Sequence, residues 1–258
     1  MHALLEAHKK QFLGFAESHY GESEKDDYNI RLKIEHTFRV LAIAESLCES
    51  APLSQEQEQA ALLAALYHDL GRFPQYRRFK TFNDRLSANH AVLGIKTLNK
   101  TQFIAGLAPD VRRMVYGAVR MHNMKGLPSS TPPSLKTVCN IVRDSDKLDI
   151  IPVMLAHLCD ENPNNVVVMD AEYHATNYTP AILEELRLGQ VGDYRKLKWT
   201  NDFKLLVSSW VFDLNFPKSY SILDSKGYIG QIFNTLPDNE TFRELRRQLE
   251  LHVENRII

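Results

Sequence analysis

Two adjacent residues open the case for chemistry. The run AALLAALYHDLG brings His68 and Asp69 to the end of a stretch, Ala60 to Leu66, that has no polar side chain. A helix that is apolar on every side is buried. An ionised carboxylate at such a place needs a partner, and the usual partners are a cation or a metal ion. An isolated His-Asp pair can also be a loop cap beside a satisfied core histidine. Here four more metal-capable side chains fall on apolar helical stripes. His36 continues the line of Val40, Ile43 and Leu47, and His122 ends the line of Val111, Val115 and Ala118. Asp146 follows Val138 and Val142, and His90 lies in line with Leu86, Leu93 and Thr97. Such stripes face a core. Imidazole and carboxylate ligands suit Mn, Fe, Zn, Ni or Mg to differing degrees, so the expected cofactor is one or two divalent ions of that set. Helix arithmetic alone allows Asp149 as well as Asp146.

These residues need helices to carry them. The first twenty residues read as one helix, and residues from about Tyr28 to Glu49 as a second. Ser54 and Gln57 have the spacing of a capping box, opening a helix expected to run to Gly71. Arg72 to Arg85 reads as a basic, aromatic loop. Helices follow from about Ser87 to Asn99, from Pro109 to near His122, and from a Ser134 cap to about Asp149, where Pro152 is expected to kink or break the chain. Beyond residue 160 the pattern weakens. VVVMD is a short strand or a buried run, Thr179-Pro180 to Gly189 has helix start and stop signals, and residues 200–213 and 239–256 read as helices. The expected fold is mainly α, a helical bundle with short strands allowed in the C-terminal third. It is read as a single domain, 1–258, with a core of about residues 28–155 and a helical extension over about 160–258.

The spacing of these motifs resembles the HD-domain superfamily of metal-dependent phosphohydrolases, whose pattern is H…HD…D on separate helices. His36, His68-Asp69 and Asp146 match it, and Asp146-Lys147-Leu148 is the residue order that selects Asp146 over Asp149. The string HDLGRFPQYRRFKTFNDRLSANHAVLG is similar to a bacterial HD subgroup. The resemblance implies one metal held by His36, His68, Asp69 and Asp146. With His90 and His122 the order H…HD…H…H…D resembles members that hold two metals bridged by the aspartate of the pair. Otherwise these two would line the pocket and bind phosphate. The GYP-type signature and the paired HHE of the cyclic-dinucleotide phosphodiesterases are missing, so that substrate is not inferred.

The expected activity is hydrolysis of a phosphate ester or anhydride in a small phosphorylated molecule, with a nucleotide as the class implied by the family. A bound divalent ion lowers the pKa of water and draws charge from a phosphoryl oxygen. Asp69 is the candidate to orient that water, with Arg72 and Lys147 offsetting charge on the phosphate. Arg39, Arg72 and Arg77 are the candidate substrate contacts, since a guanidinium fits phosphate oxygens. Phe73, Tyr76, Phe79 and Phe82 are candidates to stack a base. The alternatives are an HD-fold di-iron oxygenase and a non-catalytic nucleotide- or phosphate-sensing domain.

Bulk composition limits the partners. A net charge of −1 gives no ground for generic nucleic-acid binding. The three cysteines, Cys48, Cys139 and Cys159, form no CxxC pair. With an N-terminus that lacks the apolar core of a signal peptide and no apolar run of membrane-spanning length, a cytoplasmic protein is expected. The C-terminal third has no assignable motif, and a lid, completion of the bundle or a homodimer contact are the roles open to it.

Overall fold

The computed structural model describes residues 2–21, 23–158 and 171–257. Two compact units divide the chain, with the first covering residues 1–149 and the second most of the remainder. Among the described residues the secondary structure is helical, and an isolated parallel bridge between Glu172 and Trp199 is the one strand-like pairing. VVVMD and Cys159 lie outside the described residues. Among those described, no helix is long and apolar enough to cross a membrane.

In the first unit, α1 (His2–Glu17) and α2 (Glu24–Ser50) precede the central helix α3 (Gln55–Tyr67). Each start has a chemical reason. Ser23 accepts the Asp26 amide at the head of α2, and Ser54 with Gln57 forms the expected capping box at the head of α3. Every residue of α3 from Ala60 to Tyr67 is buried, and the helix packs between α2 and α6 (Pro109–Met121). Helix α1 is fastened across it by a 2.8 Å bond between His8 Nδ1 and the Tyr67 hydroxyl.

The expected extent of α3 needs correction. It ends at Tyr67, and residues 68–71 form a turn in which the Leu70 amide bonds to Tyr67 and the Arg72 amide to Asp69. His68 and Asp69 therefore project from a joint between two helices, because Arg72–Phe79 is the helix α4 rather than a loop. Helix α4 forms because Phe73, Gln75 and Tyr76 bury one face, while Pro74 falls in the first turn, where an amide has no helical acceptor. Phe73 and Tyr76 thus belong to the core and are unavailable to stack a base. Gly71 lies at the head of α4 as its N-cap, and close approach explains it. A Cβ there would sit 2.1 Å from the His90 carbonyl and 2.4 Å from the Gly94 amide.

Helix α5 (His90–Thr101) starts later than expected, because Asn89 accepts the Val92 amide and so caps it. Leu86 is consequently outside the stripe and 65 % exposed. Helix α7 (Pro133–Leu158) starts before Ser134, which is not its cap, and continues through Pro152. A helix-interior proline costs roughly 3 kcal/mol, and burial of Leu148, Ile151 and Met154 around it offsets that cost.

The second unit has α8 (Pro180–Arg187), α9 (Thr200–Ser208), a 3-10 turn at Ser209–Asp213, α10 (Pro217–Ser225), α11 (Tyr228–Phe233) and α12 (Glu240–Glu254). The expected helices near 180–189, 200–213 and 239–256 are present, with Gly189 at φ +69° after α8. The buried Asp202 accepts the amides of Thr179, Lys198 and Trp199, and so ties the loops around α9.

Gly71→Ala tests the joint. It is expected to cost about 1–3 kcal/mol in denaturant unfolding, because the added methyl meets backbone rather than a flexible side-chain end. The same variant displaces the start of α5, so metal content per chain is expected to fall with it. Parental stability would show that the joint has room.

Candidate metal centre

All six residues expected at the centre converge within the first unit. His36 comes from the middle of α2, His68 and Asp69 from the α3–α4 joint, His90 from the first position of α5, His122 from the C-terminal end of α6, and Asp146 from α7. The side chains of His68 and His122 are 0 % and 1 % exposed, and those of His36, Asp69 and His90 are 4–5 % exposed. Asp146 is more open, at 19 %.

Asp69 divides the site into two halves. Its Oδ2 lies 3.6 Å from His36 Nε2 and 3.7 Å from His68 Nε2. Asp146 Oδ1 closes that half at 3.2 Å from His36 Nε2 and 3.6 Å from His68 Nε2. The other oxygen, Oδ1, lies 3.4 Å from His90 Nε2 and 3.8 Å from His122 Nε2. Donor atoms bound at about 2.1 Å to one ion stand about 3.0–3.5 Å apart in octahedral or tetrahedral geometry. Both halves, His36-His68-Asp69 and Asp69-His90-His122, come close to that spacing and could each hold an ion.

The outer nitrogens fix which way the lone pairs point. His36 Nδ1 donates to Asp149 Oδ2 at 2.7 Å, and His90 Nδ1 donates to Asp84 Oδ2 at 2.7 Å. His68 Nδ1 donates to the Ala65 carbonyl at 2.7 Å, and His122 Nδ1 donates to the Val119 carbonyl at 2.8 Å. These tautomers follow from the acceptors, since a carbonyl oxygen can only accept. All four Nε2 atoms then turn inward toward Asp69. Burial lowers the His122 pKa to about 3, and burial together with Arg72 lowers that of His90, so both rings are neutral. Their Nε2 atoms face each other at 2.9 Å, an arrangement of two lone pairs that a cation between them stabilises. In the other half, burial opposes a charged His68, but the carboxylates of Asp69 and Asp146 outweigh it and raise its pKa. A divalent cation there would take the place of that proton. The donor set therefore fits metal ions at both places.

Residues 34–151 match the family model of the HD domain. The segment is an HD domain. All six residues lie inside it, and the described residues are predominantly helical as that family requires. No curated protein and no solved structure matches the chain.

Besides Asp149, the residues around the HD centre include Lys33, Asp84 and Arg143, which sequence reading does not single out. Lys33, one turn before His36, contacts Asp69 Oδ2 at 2.8 Å. Asp149, first weighed as a ligand, instead holds His36. Asp84 holds His90 and is itself gripped by Arg72 Nη1 at 3.0 Å and Gln75 Nε2 at 2.8 Å. The buried Arg143 contacts the carbonyls of His122 and Met124, which fixes the end of α6. Helical spacing could have suggested Lys33, which stands three residues from His36. Nothing local marks Asp84 or Arg143.

The expected substrate contacts are spread more widely. Arg39 is 43 % exposed and binds Asp149 through Nε at 2.6 Å and Nη2 at 3.1 Å, one partner removed from His36. Arg72 contacts Asp69 Oδ1 at 3.3 Å and gives Nη1 to Gln75, the Phe82 carbonyl and Asp84. Lys147 is partly exposed beside Asp146, and Arg77 is exposed on the last turn of α4.

Burial favours a neutral Asp69, but the positive field of Lys33, His68 and Arg72 overcomes it and holds the pKa well below the ordinary carboxylate value. The carboxylate is thus ready to ligate at neutral pH. Partners behind metal-bound histidines tune affinity by roughly 10–100-fold. Asp149→Asn is expected to weaken the half containing His36 by that range, and Asp84→Asn the half containing His90. Metal titration of stripped protein reads both, and equal effects of the two variants on one ion would show a single site.

Proposed function

We propose that this HD domain is a metal-dependent phosphohydrolase acting on an ester or anhydride of a small phosphorylated molecule, of which a nucleotide is the leading class. The observation that carries the reading is the inward convergence of four Nε2 atoms on the two oxygens of Asp69, with every Nδ1 tied off outside. His36, His68, Asp69 and Asp146 would hold the first ion, and Asp69, His90 and His122 the second.

Bound there, a divalent ion supplies a water of lowered pKa and withdraws charge from a phosphoryl oxygen. The protein does the positioning. The closed side is the wall of histidines, and the open side has Asp146, Lys33 and Arg72, whose side chains are 19 %, 15 % and 16 % exposed. Substrate therefore approaches past those three residues. Asp69, held by Lys33 and Arg72, is fixed where it can orient an attacking water. Lys147, next to Asp146, adds positive charge on the approach side.

A di-iron oxygenase is the second reading, and the complete triad Asp69-His90-His122 is what favours it. Two iron ions per chain and oxygen consumption without phosphate release would select it.

The test is metal analysis of the purified chain with a phosphatase and nucleotide panel under several divalent ions. Stripping the metal is expected to abolish turnover, and readdition to restore it. His68→Ala and Asp69→Ala are expected to lower kcat by at least about a hundredfold, more than an outer partner alone costs, with the helical circular dichroism unchanged. Parental rates in both variants would refute the proposal.

A further inference from the structure

Two cations hold Asp69, and they are held very differently themselves. Arg72 is anchored by Gln75, the Phe82 carbonyl and Asp84 in addition to Asp69. Lys33 has Asp69 Oδ2 as its hydrogen-bond acceptor, and its ammonium otherwise rests 5.4 Å from the centroid of the Phe82 ring. That oxygen is the one facing His36 and His68. A lysine ammonium and the place for a divalent ion thus meet on one carboxylate oxygen.

Like charges so close repel strongly in a site of low dielectric constant. An ion held by His36, His68 and Asp69 would weaken the attraction of Asp69 for Lys33. The lysine stem is long and flexible, and its head has three donors. Phe82 keeps the head at the open rim through a cation–π contact. An anion lying between ion and ammonium relieves the repulsion, and phosphoryl oxygens are anions of suitable size and charge. We infer that Lys33 competes with the first metal for Asp69 and, once that metal is bound, contacts a phosphoryl oxygen of the substrate. The inference rests on the phosphohydrolase reading and gives Lys33 two opposed effects. It weakens metal binding and strengthens phosphate binding. A merely structural lysine would favour both or neither.

The experiment is calorimetric titration of manganese into the metal-stripped full chain, followed by inorganic phosphate into the manganese-loaded chain. Lys33→Met is expected to bind manganese on the order of tenfold more tightly and phosphate on the order of tenfold more weakly than the parent, through loss of one close charge. Lys33→Gln carries the same two expectations and decides the case if Lys33→Met does not fold. Weakening of both ligands, or a change in only one, overturns the inference while leaving the phosphohydrolase reading in place. A parent chain that binds neither manganese nor phosphate overturns both.

Discussion

A carboxylate with only 4 % of its side chain exposed cannot remain ionised without compensation, and Asp69 receives it from every direction. Lys33 and the His36–His68 pair lie against one oxygen, and Arg72 and the His90–His122 pair lie against the other. Five helices contribute to this one group. Their mutual positions in the first unit are therefore constrained by the need to keep Asp69 surrounded. The constraint also acts outward, since a neutral histidine presents Nε2 to the centre only if Nδ1 has an acceptor behind it. Asp149, Asp84 and two helix carbonyls fill that role, and Arg39, Arg72 and Gln75 then hold the two aspartates.

The backbone solves a related problem at the joint. A continuous helix through residue 71 would point His68 and Asp69 about 100° apart in azimuth and carry Asp69 away from one half of the site. Ending α3 at Tyr67 lets both residues turn into the same space, while α4 begins at once and brings Arg72 alongside. That tight sequence needs room beside the start of α5, which only a residue without a Cβ leaves. Gly71 is thus as much a part of the centre as the ligands, although it contributes no chemistry.

The candidate ligands were legible by local rules: His68 and Asp69 end an all-apolar run, and His36, His122 and Asp146 stand on apolar stripes, whereas the stripe read for His90 loses Leu86. The family pattern then separated Asp146 from Asp149, a choice that periodicity left open. The helical class and the capping box at Ser54 were legible for the same local reason. Helix α4 was not, because RFPQYRRF is dominated by charge and contains a proline, and its buried face has only three residues. Short α10 and α11 likewise offer too few turns to show a period. Arg39 is one turn beyond His36 in sequence, but its occupation by Asp149 depends on a partner 110 residues away. Asp84 and Arg143 act through contacts across 6 and 21 positions, and no spacing rule covers such contacts.

Charge balance gives the centre its direction. The carboxylates of Asp69, Asp84, Asp146 and Asp149 face the cations of Lys33, Arg39 and Arg72. These carboxylates outnumber the cations by one, and a proton on His68 makes up the difference without metal. A divalent ion in that proton's place makes the group positive. Burial keeps the excess from being screened by solvent. Around Asp69 itself, exposure rises at Asp146, Lys33 and Arg72. A buried cluster that turns cationic on loading would attract an anion by the same electrostatics that first kept Asp69 ionised.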